Sequence, residues 1–214
     1  MSEDIVFDTA LPEERAELCA LWQESFGDGK RQIMEFYDSF PCIGNVFVAR
    51  YSGRIACVIN AVPMQFRANG KMNEAAYLYA ITTRREMRGR GIFRSLYAYT
   101  KNKLTERGCK LLFLCAASDA LADMYAKMGF RGGISRIDQN ILTEECSPRE
   151  SYMRYRRLAL ARDGVLLPDM PFFLWGMKSA REAGRSDFSH RTMHSFTNED
   201  FNIPFYAAML ADEA

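Results

Sequence analysis

Net charge is what this sequence has least of. Its 214 residues carry 28 basic and 27 acidic side chains, which leaves +1. Dedicated nucleic-acid-binding domains are strongly basic, so nucleic acid is not an expected partner. Long hydrophobic runs are missing too, and none approaches the ~20 residues needed to span a bilayer. The opening "MSEDIVFDTALPEER" is acidic and lacks the charged-then-apolar layout of a signal peptide. No membrane partner is expected, and the cytoplasm is the expected location.

No Cys-x-x-Cys pair occurs among the six cysteines, Cys19, Cys42, Cys57, Cys109, Cys115 and Cys146. Several sit inside apolar segments ("RIACVIN", "LLFLCAAS"), where a reduced cysteine behaves as a small hydrophobe. A disulfide framework is not expected in this size and setting. Histidine is scarce as well. The only two, in "HRTMH", lie far downstream of every cysteine, so nothing recommends a cysteine nucleophile. His190 and His194 stand at i, i+4 if that stretch is helical, but no glutamate follows the first and no third ligand stands out. The pair reads as incidental, and no metal is expected.

What is present is a large apolar complement, 48% of residues, enough to bury one substantial core. "DIVFDTA" reads as a short strand. "LPEERAELCALWQESFG" places Leu18, Leu21, Trp22 and Phe26 on one helical face, and "KRQIMEFYDSF" is a second helix ended by Pro41. Ser52-Gly53 and Asn69-Gly70 are turn signals inside a β-branched, aromatic stretch. They predict three antiparallel strands near 45–51, 54–67 and 72–83. A helix follows in "GIFRSLYAYTKNKLTERG", with Phe93, Leu96, Tyr97, Thr100 and Leu104 in phase. "KLLFLCAAS" suits a central buried strand. "DALADMYAKMGF" is a helix with Asp119 as candidate N-cap and Gly129 at C′, and "RGGISRIDQNILT" returns to strand. The fold class is therefore α/β, a mixed sheet flanked by helices. Residues 1–143 form its body and residues 144–214 a mainly helical extension. There "PRESYMRYRRLALARDG", "PFFLWGMKSAREAG" and the tail "NEDFNIPFYAAMLADEA" read as helices. Tyr152, Met153, Leu158 and Leu160 are the expected packing residues of the first. "MPFFLWGM" reads equally as core or as a dimer interface.

The densest signal is "RREMRGRGIFRSLY", where a strand meets a helix through a turn containing Gly89 and Gly91. A helix's first turn carries unpaired N–H groups and the positive end of the dipole. Glycine lets a ligand approach the backbone closely. Strand, glycine turn and helix together suit a phosphate or pyrophosphate, with Arg88, Arg90 and Arg94 able to add charge-assisted bonds. The stretch is neither a nucleotide-triphosphatase loop nor a dinucleotide fingerprint, since Arg94 stands where a third glycine belongs. On these residues alone, an exposed arginine cluster on a solvated loop is an equal reading.

"ITTRREMRGRGIFRSLY" resembles the acyl-CoA-binding signature of the GNAT superfamily of N-acetyltransferases. That signature is Arg/Gln-x-x-Gly-x-Gly/Ala, with Arg88, Gly89, Arg90, Gly91, Ile92 and Phe93 in its positions. Phe93 departs from the usual glycine or alanine. "SDALADMYAKMGF" is similar to the family's Asn-x-x-Ala-x-x-x-Tyr-x-x-x-Gly-Phe helix. Tyr125, Gly129 and Phe130 match, while Ser118 and Leu121 replace asparagine and alanine. The resemblance covers about residues 3–143 and implies a GNAT-like, mostly antiparallel sheet.

It also implies acetyl transfer from the cosubstrate acetyl-CoA directly to a primary amine. A small-molecule acceptor is favoured over a protein because the extension is placed to wall the acceptor cleft. The pantetheine arm is expected along the main chain of Ile81, Thr82 and Thr83. The pyrophosphate is expected over Arg88 to Arg94, with Ser118 nearby. Tyr125, by itself a core aromatic on its helical face, becomes the acid that protonates the departing thiolate. Glu74, Tyr77 and Tyr79 are open candidates for the base, with Glu86 a poorer one. A water chain or the terminal carboxylate also remains open. Relatives commonly form homodimers. The alternative function is an acyl-CoA-binding regulatory module with little catalysis.

Overall fold

Two tight turns set the register of the central strands. Ser52 and Gly53, and likewise Asn69 and Gly70, all have positive φ, the backbone twist that matches two-residue hairpins. They join strands β2 (Val46–Tyr51), β3 (Arg54–Ala68) and β4 (Lys71–Thr83), as expected from sequence. In this computed structural model the described residues are 5–39, 43–136, 146–182, 192–197 and 201–207. The chain divides into two units, Met1–Val62 with Leu78–Arg107, and Pro63–Tyr77 with Gly108–Ala214. Strands β3 and β4 each contribute to both.

In the first unit, β1 (Ile5–Thr9) pairs antiparallel with β2, from Ile5↔Tyr51 to Thr9↔Phe47. Strand β2 pairs antiparallel with β3, from Val46↔Asn60 to Tyr51↔Arg54. Helices α1 (Arg15–Phe26), α2 (Lys30–Ser39) and α3 (Ile92–Glu106) belong to this unit. Leu18, Leu21 and Trp22 of α1 are buried with Ile33 and Phe36 of α2. Trp22 packs edge-on against Phe36 at 4.9 Å between ring centres. On α3, Leu96, Tyr97, Thr100 and Leu104 are buried, while Phe93 is half-buried with its ring 6.3 Å from that of Tyr97.

In the second unit, β5 (Cys109–Cys115) runs parallel to the first half of β4, from Glu74↔Cys109 to Tyr77↔Phe113. Its other edge holds β9 (Thr192–Phe196) antiparallel, and β9 in turn holds β6 (Arg131–Gly132). Strand β8 (Leu166–Pro168) pairs with the end of β3, and β7 (Ile134–Arg136) pairs parallel with β10 (Phe205–Ala207). Hydrogen-bonded neighbours thus follow the order β1-β2-β3-β4-β5-β9-β6, mostly antiparallel. The helices of this unit are α4 (Asp119–Ala126), α5 (Pro148–Ala161) and α6 (Met170–Glu182).

Three readings of the extension need correction. "TMHSF" in the mainly helical extension is strand β9, so His194 lies on a strand, because the segment pairs antiparallel with both β5 and β6. "FYA" in the expected tail helix is strand β10. On α5 the inward face carries Ser151, Tyr152, Tyr155 and Ala159, whereas Met153 and Leu160 are exposed. Helix α6 buries Phe172, Phe173, Trp175 and Met177, so "MPFFLWGM" serves as core. His190, residues 137–143 of the expected last strand and the end of the tail lie outside the described residues. Among the described residues no helix is long and apolar enough to cross a membrane.

Candidate active site

The residues marked by sequence fall on two stretches, one in each unit. In the first unit, β4 departs from regular strand geometry at Ala80, whose φ is +46°. A non-glycine residue held there costs of order 1 kcal/mol and persists only where its surroundings impose it. The constraint comes from Asn60 on β3, which is buried. Its side-chain amide donates to the carbonyls of Tyr79 at 3.2 Å and Ala80 at 3.4 Å. Tyr79 is fixed in turn by Trp22 and Phe36, at 5.4 and 5.6 Å between ring centres. Beyond the kink, the Thr82 hydroxyl donates back to the Ala80 carbonyl at 3.4 Å, and Ile81 is half-buried. The Thr83 hydroxyl lies 3.2 Å from the Cys57 thiol. Burial pushes that thiol up to about 11, so it stays protonated and unreactive at neutral pH.

The turn that follows is anchored at its start and open at its end. Arg84 donates to the Ile55 carbonyl at 3.0 Å and to Glu17 at 2.6 Å, and Met87 is buried. The Arg88 Nε donates to the Thr83 carbonyl at 2.9 Å, which closes the turn on the strand it leaves. Gly89 and Gly91 both have φ near +77°, and nothing lies within 4 Å of a Cβ built on either. The backbone angle, not crowding, requires glycine at both positions. Gly91 is the N-cap of α3 and has no side chain with which to cap it. The first-turn N–H groups of α3 have no acceptor within the helix itself. Arg90 and Arg94 flank them, exposed and without an acidic partner among the described residues. Donors gathered at the positive end of a helix dipole fit a phosphate-bearing ligand.

In the second unit, Ser118 rather than Asp119 is the N-cap of α4, and its hydroxyl accepts from the Leu121 N–H at 3.3 Å. Tyr125 is buried on the last turn of α4, its ring 5.7 Å from that of Phe130. Its carbonyl accepts from the N–H groups of Met128 and Phe130, at 2.9 and 3.1 Å, around the left-handed Gly129.

Of the base candidates, Tyr77 is fully buried and stacks on Phe113 at 4.9 Å, and Tyr79 lies in the aromatic cluster described above. Both are core residues. Glu74 is exposed and accepts from Gln65 at 3.0 Å, while Glu86 is exposed 3.9 Å from Arg84. Among the described residues no three His, Cys, Asp or Glu side chains gather to hold a metal ion.

The profile of the acetyltransferase (GNAT) domain matches residues 7–132, more than half of the chain. The chain belongs to the GNAT acetyltransferase family. Solved GNAT proteins share its fold at low identity. A GCN5-related N-acetyltransferase from Anabaena variabilis superposes with a TM-score of 0.64 at 16% identity, over 86% of this chain and 48% of its own. Eis1 from Mycobacterium abscessus gives 0.62 at 16% identity, over 85% and 49%. YhbS from Escherichia coli, in complex with CoA, gives 0.53 at 16% identity, over 64% and 77%. The chain thus spans about half the length of the first two. No curated protein sequence matches it.

The sequence reading of the GNAT turn missed Asn60 and Ala80. An asparagine within a strand pattern and an alanine at positive φ carry no composition signal. Only the fold, which brings the Asn60 amide to the carbonyls of Tyr79 and Ala80, reveals them.

Proposed function

We propose that this GNAT chain transfers an acetyl group from acetyl-CoA directly to a primary amine of a small molecule. The observation that carries the reading is the glycine-capped start of α3, with left-handed Gly89 and Gly91 and the unpaired Arg90 and Arg94 around it. These are the donors that a pyrophosphate needs. The main chain of Ile81, Thr82 and Thr83, displaced by the Ala80 kink, offers amide and carbonyl groups to the pantetheine arm. Arg88 holds the turn against the strand, Ile92 and Phe93 supply first-turn amides, and Ser118 adds a hydroxyl from α4. Tyr125 is the acid that returns a proton to the leaving thiolate. Direct attack by the amine requires no protein nucleophile, consistent with the protonated state of the Cys57 thiol.

The test is thiol release from acetyl-CoA with a pooled panel of amines, wild type beside Tyr125→Phe. Amine-dependent release is expected, falling by about 100-fold in the variant as general acid catalysis is lost. The CoA affinity measured by calorimetry should stay unchanged. Unaltered turnover in Tyr125→Phe would remove the tyrosine from the mechanism, and CoA binding without release for any amine would leave a binding module.

A further inference from the structure

A concave site lies wholly within the second unit. It is a cleft of about 320 Å³ formed by β3, β4, α5 and the β8–α6 junction, large enough for an amino-acid-sized ligand. Its walls carry groups of both signs. Asp169, half-buried, uses Oδ1 to accept the Phe172 N–H at 2.9 Å and has no basic partner within 4 Å among the described residues. Glu74 stands on the same cleft, held by the side-chain amide of Gln65 at 3.0 Å and likewise without a basic partner. Arg156 of α5 lines it too, exposed and with no carboxylate within 4 Å. The same cleft is lined by the apolar side chains of Pro63, Leu160 and Leu167.

Unlike charges that share so small a cleft ordinarily pair with each other. Here no ion pair forms between them: Asp169 accepts from the Phe172 N–H and Glu74 from Gln65. Asp169 is held by the start of α6. Tyr152, whose hydroxyl donates to the Pro168 carbonyl at 3.3 Å, fills part of the floor. Its phenol is pushed up mainly by burial, with Arg156 and Asp169 acting on it in opposite directions. Burial also raises the Asp169 carboxyl above its ordinary value, as expected of a half-buried acid that lacks a cation. Two carboxylates match the three donors of an ammonium, and a guanidinium matches a carboxylate in bidentate fashion.

We propose that this cleft binds a small zwitterion of the α-amino-acid class. Its ammonium lies against Asp169 and Glu74, its carboxylate against Arg156, and an aliphatic side chain on the Leu160–Leu167 wall. The proposal rests on the cleft alone and does not depend on acyl transfer. Three probes of one shape separate the charges: L-leucine, L-leucinamide without the carboxylate, and 4-methylpentanoate without the ammonium. Calorimetry without acetyl-CoA should show L-leucine binding, with each of the other two weaker by roughly tenfold or more, the cost of one lost charge-assisted contact. Asp169→Asn retains an N-cap for α6 and Arg156→Gln alters an exposed side chain, so both variants should melt like the wild type. Each should weaken L-leucine by a similar factor.

Leucinamide binding as tightly as leucine would overturn the zwitterion. Leucine binding that is indifferent to both variants, or absent at millimolar concentration, would overturn the site. Because thiol release is assayed separately, leucine binding without any acetyl transfer would count against the proposed activity and not against the cleft.

Discussion

The starts of α3 and α5 solve the same problem in opposite ways. Every helix leaves its first N–H groups without internal acceptors. At α5 the protein satisfies them itself. The Ser147 hydroxyl accepts from the Glu150 N–H at 3.3 Å, the Glu150 carboxylate accepts from the Ser147 N–H at 2.9 Å, and Pro148 presents no N–H at all. Hydrogen bonds to Ser147 lower the Glu150 carboxyl below its ordinary value. At α3 the cap is a glycine with nothing to offer, and the surrounding side chains are arginines instead of acceptors. A helix start that the chain seals is structural, whereas one left open under two unpaired arginines is prepared for something from outside.

Reversing either arrangement should separate affinity from stability. Replacing both Arg90 and Arg94 by alanine should weaken CoA binding by about 100-fold, the loss of two charge-assisted contacts. The melting temperature should hold, since both side chains are exposed. Calorimetry with CoA checks it, and a loss of no more than about twofold would make α3 as self-sufficient as α5. Ser147→Ala should do the reverse, costing about 1 kcal/mol of stability in urea titration while CoA affinity stays unchanged.

The smallest effect concerns the start of α1. There Glu14 accepts from Arg50 through both carboxylate oxygens at 2.6 Å and from the Leu11 N–H at 2.7 Å. The Arg50 hydrogen bonds hold Glu14 below the ordinary carboxylate range, so the folded state favours its ionised form. That stabilisation is present above the unfolded pKa and disappears as pH falls through the lowered folded value. The stability advantage of wild type over Glu14→Gln, measured by urea titration, should therefore be present at neutral pH and shrink in acid.

The same contrast marks how far the sequence could be read. Elements with local causes were legible. The hairpins at Ser52-Gly53 and Asn69-Gly70, the amphipathic α2 and α3 and the buried β5 announce themselves through turn residues and period. The glycine turn was visible because glycine and arginine are conspicuous there. Elements whose causes are distant were not. Strand β9 is five residues whose conformation is set by β5 and β6, and β10 is three residues paired to β7. The inward face of α5 is decided by Tyr152 and Tyr155, which reach the carbonyls of Pro168 and Leu166, rather than by the hydrophobicity of Met153 or Leu160. The cleft beside Asp169 gathers residues separated by about a hundred positions, and no local motif announces it.

Strand β9 also constrains how the polypeptide is made. It separates β5 from β6, so residues 192–196 must be inserted between segments that leave the ribosome long before them. Until then the outer edge of β5 waits with unpaired backbone groups, the kind of edge that recruits other chains. Such late, non-local closure is slow. A nascent chain halted short of Thr192 would therefore be a sticky intermediate in need of a chaperone, although the whole glycine turn has already been synthesised.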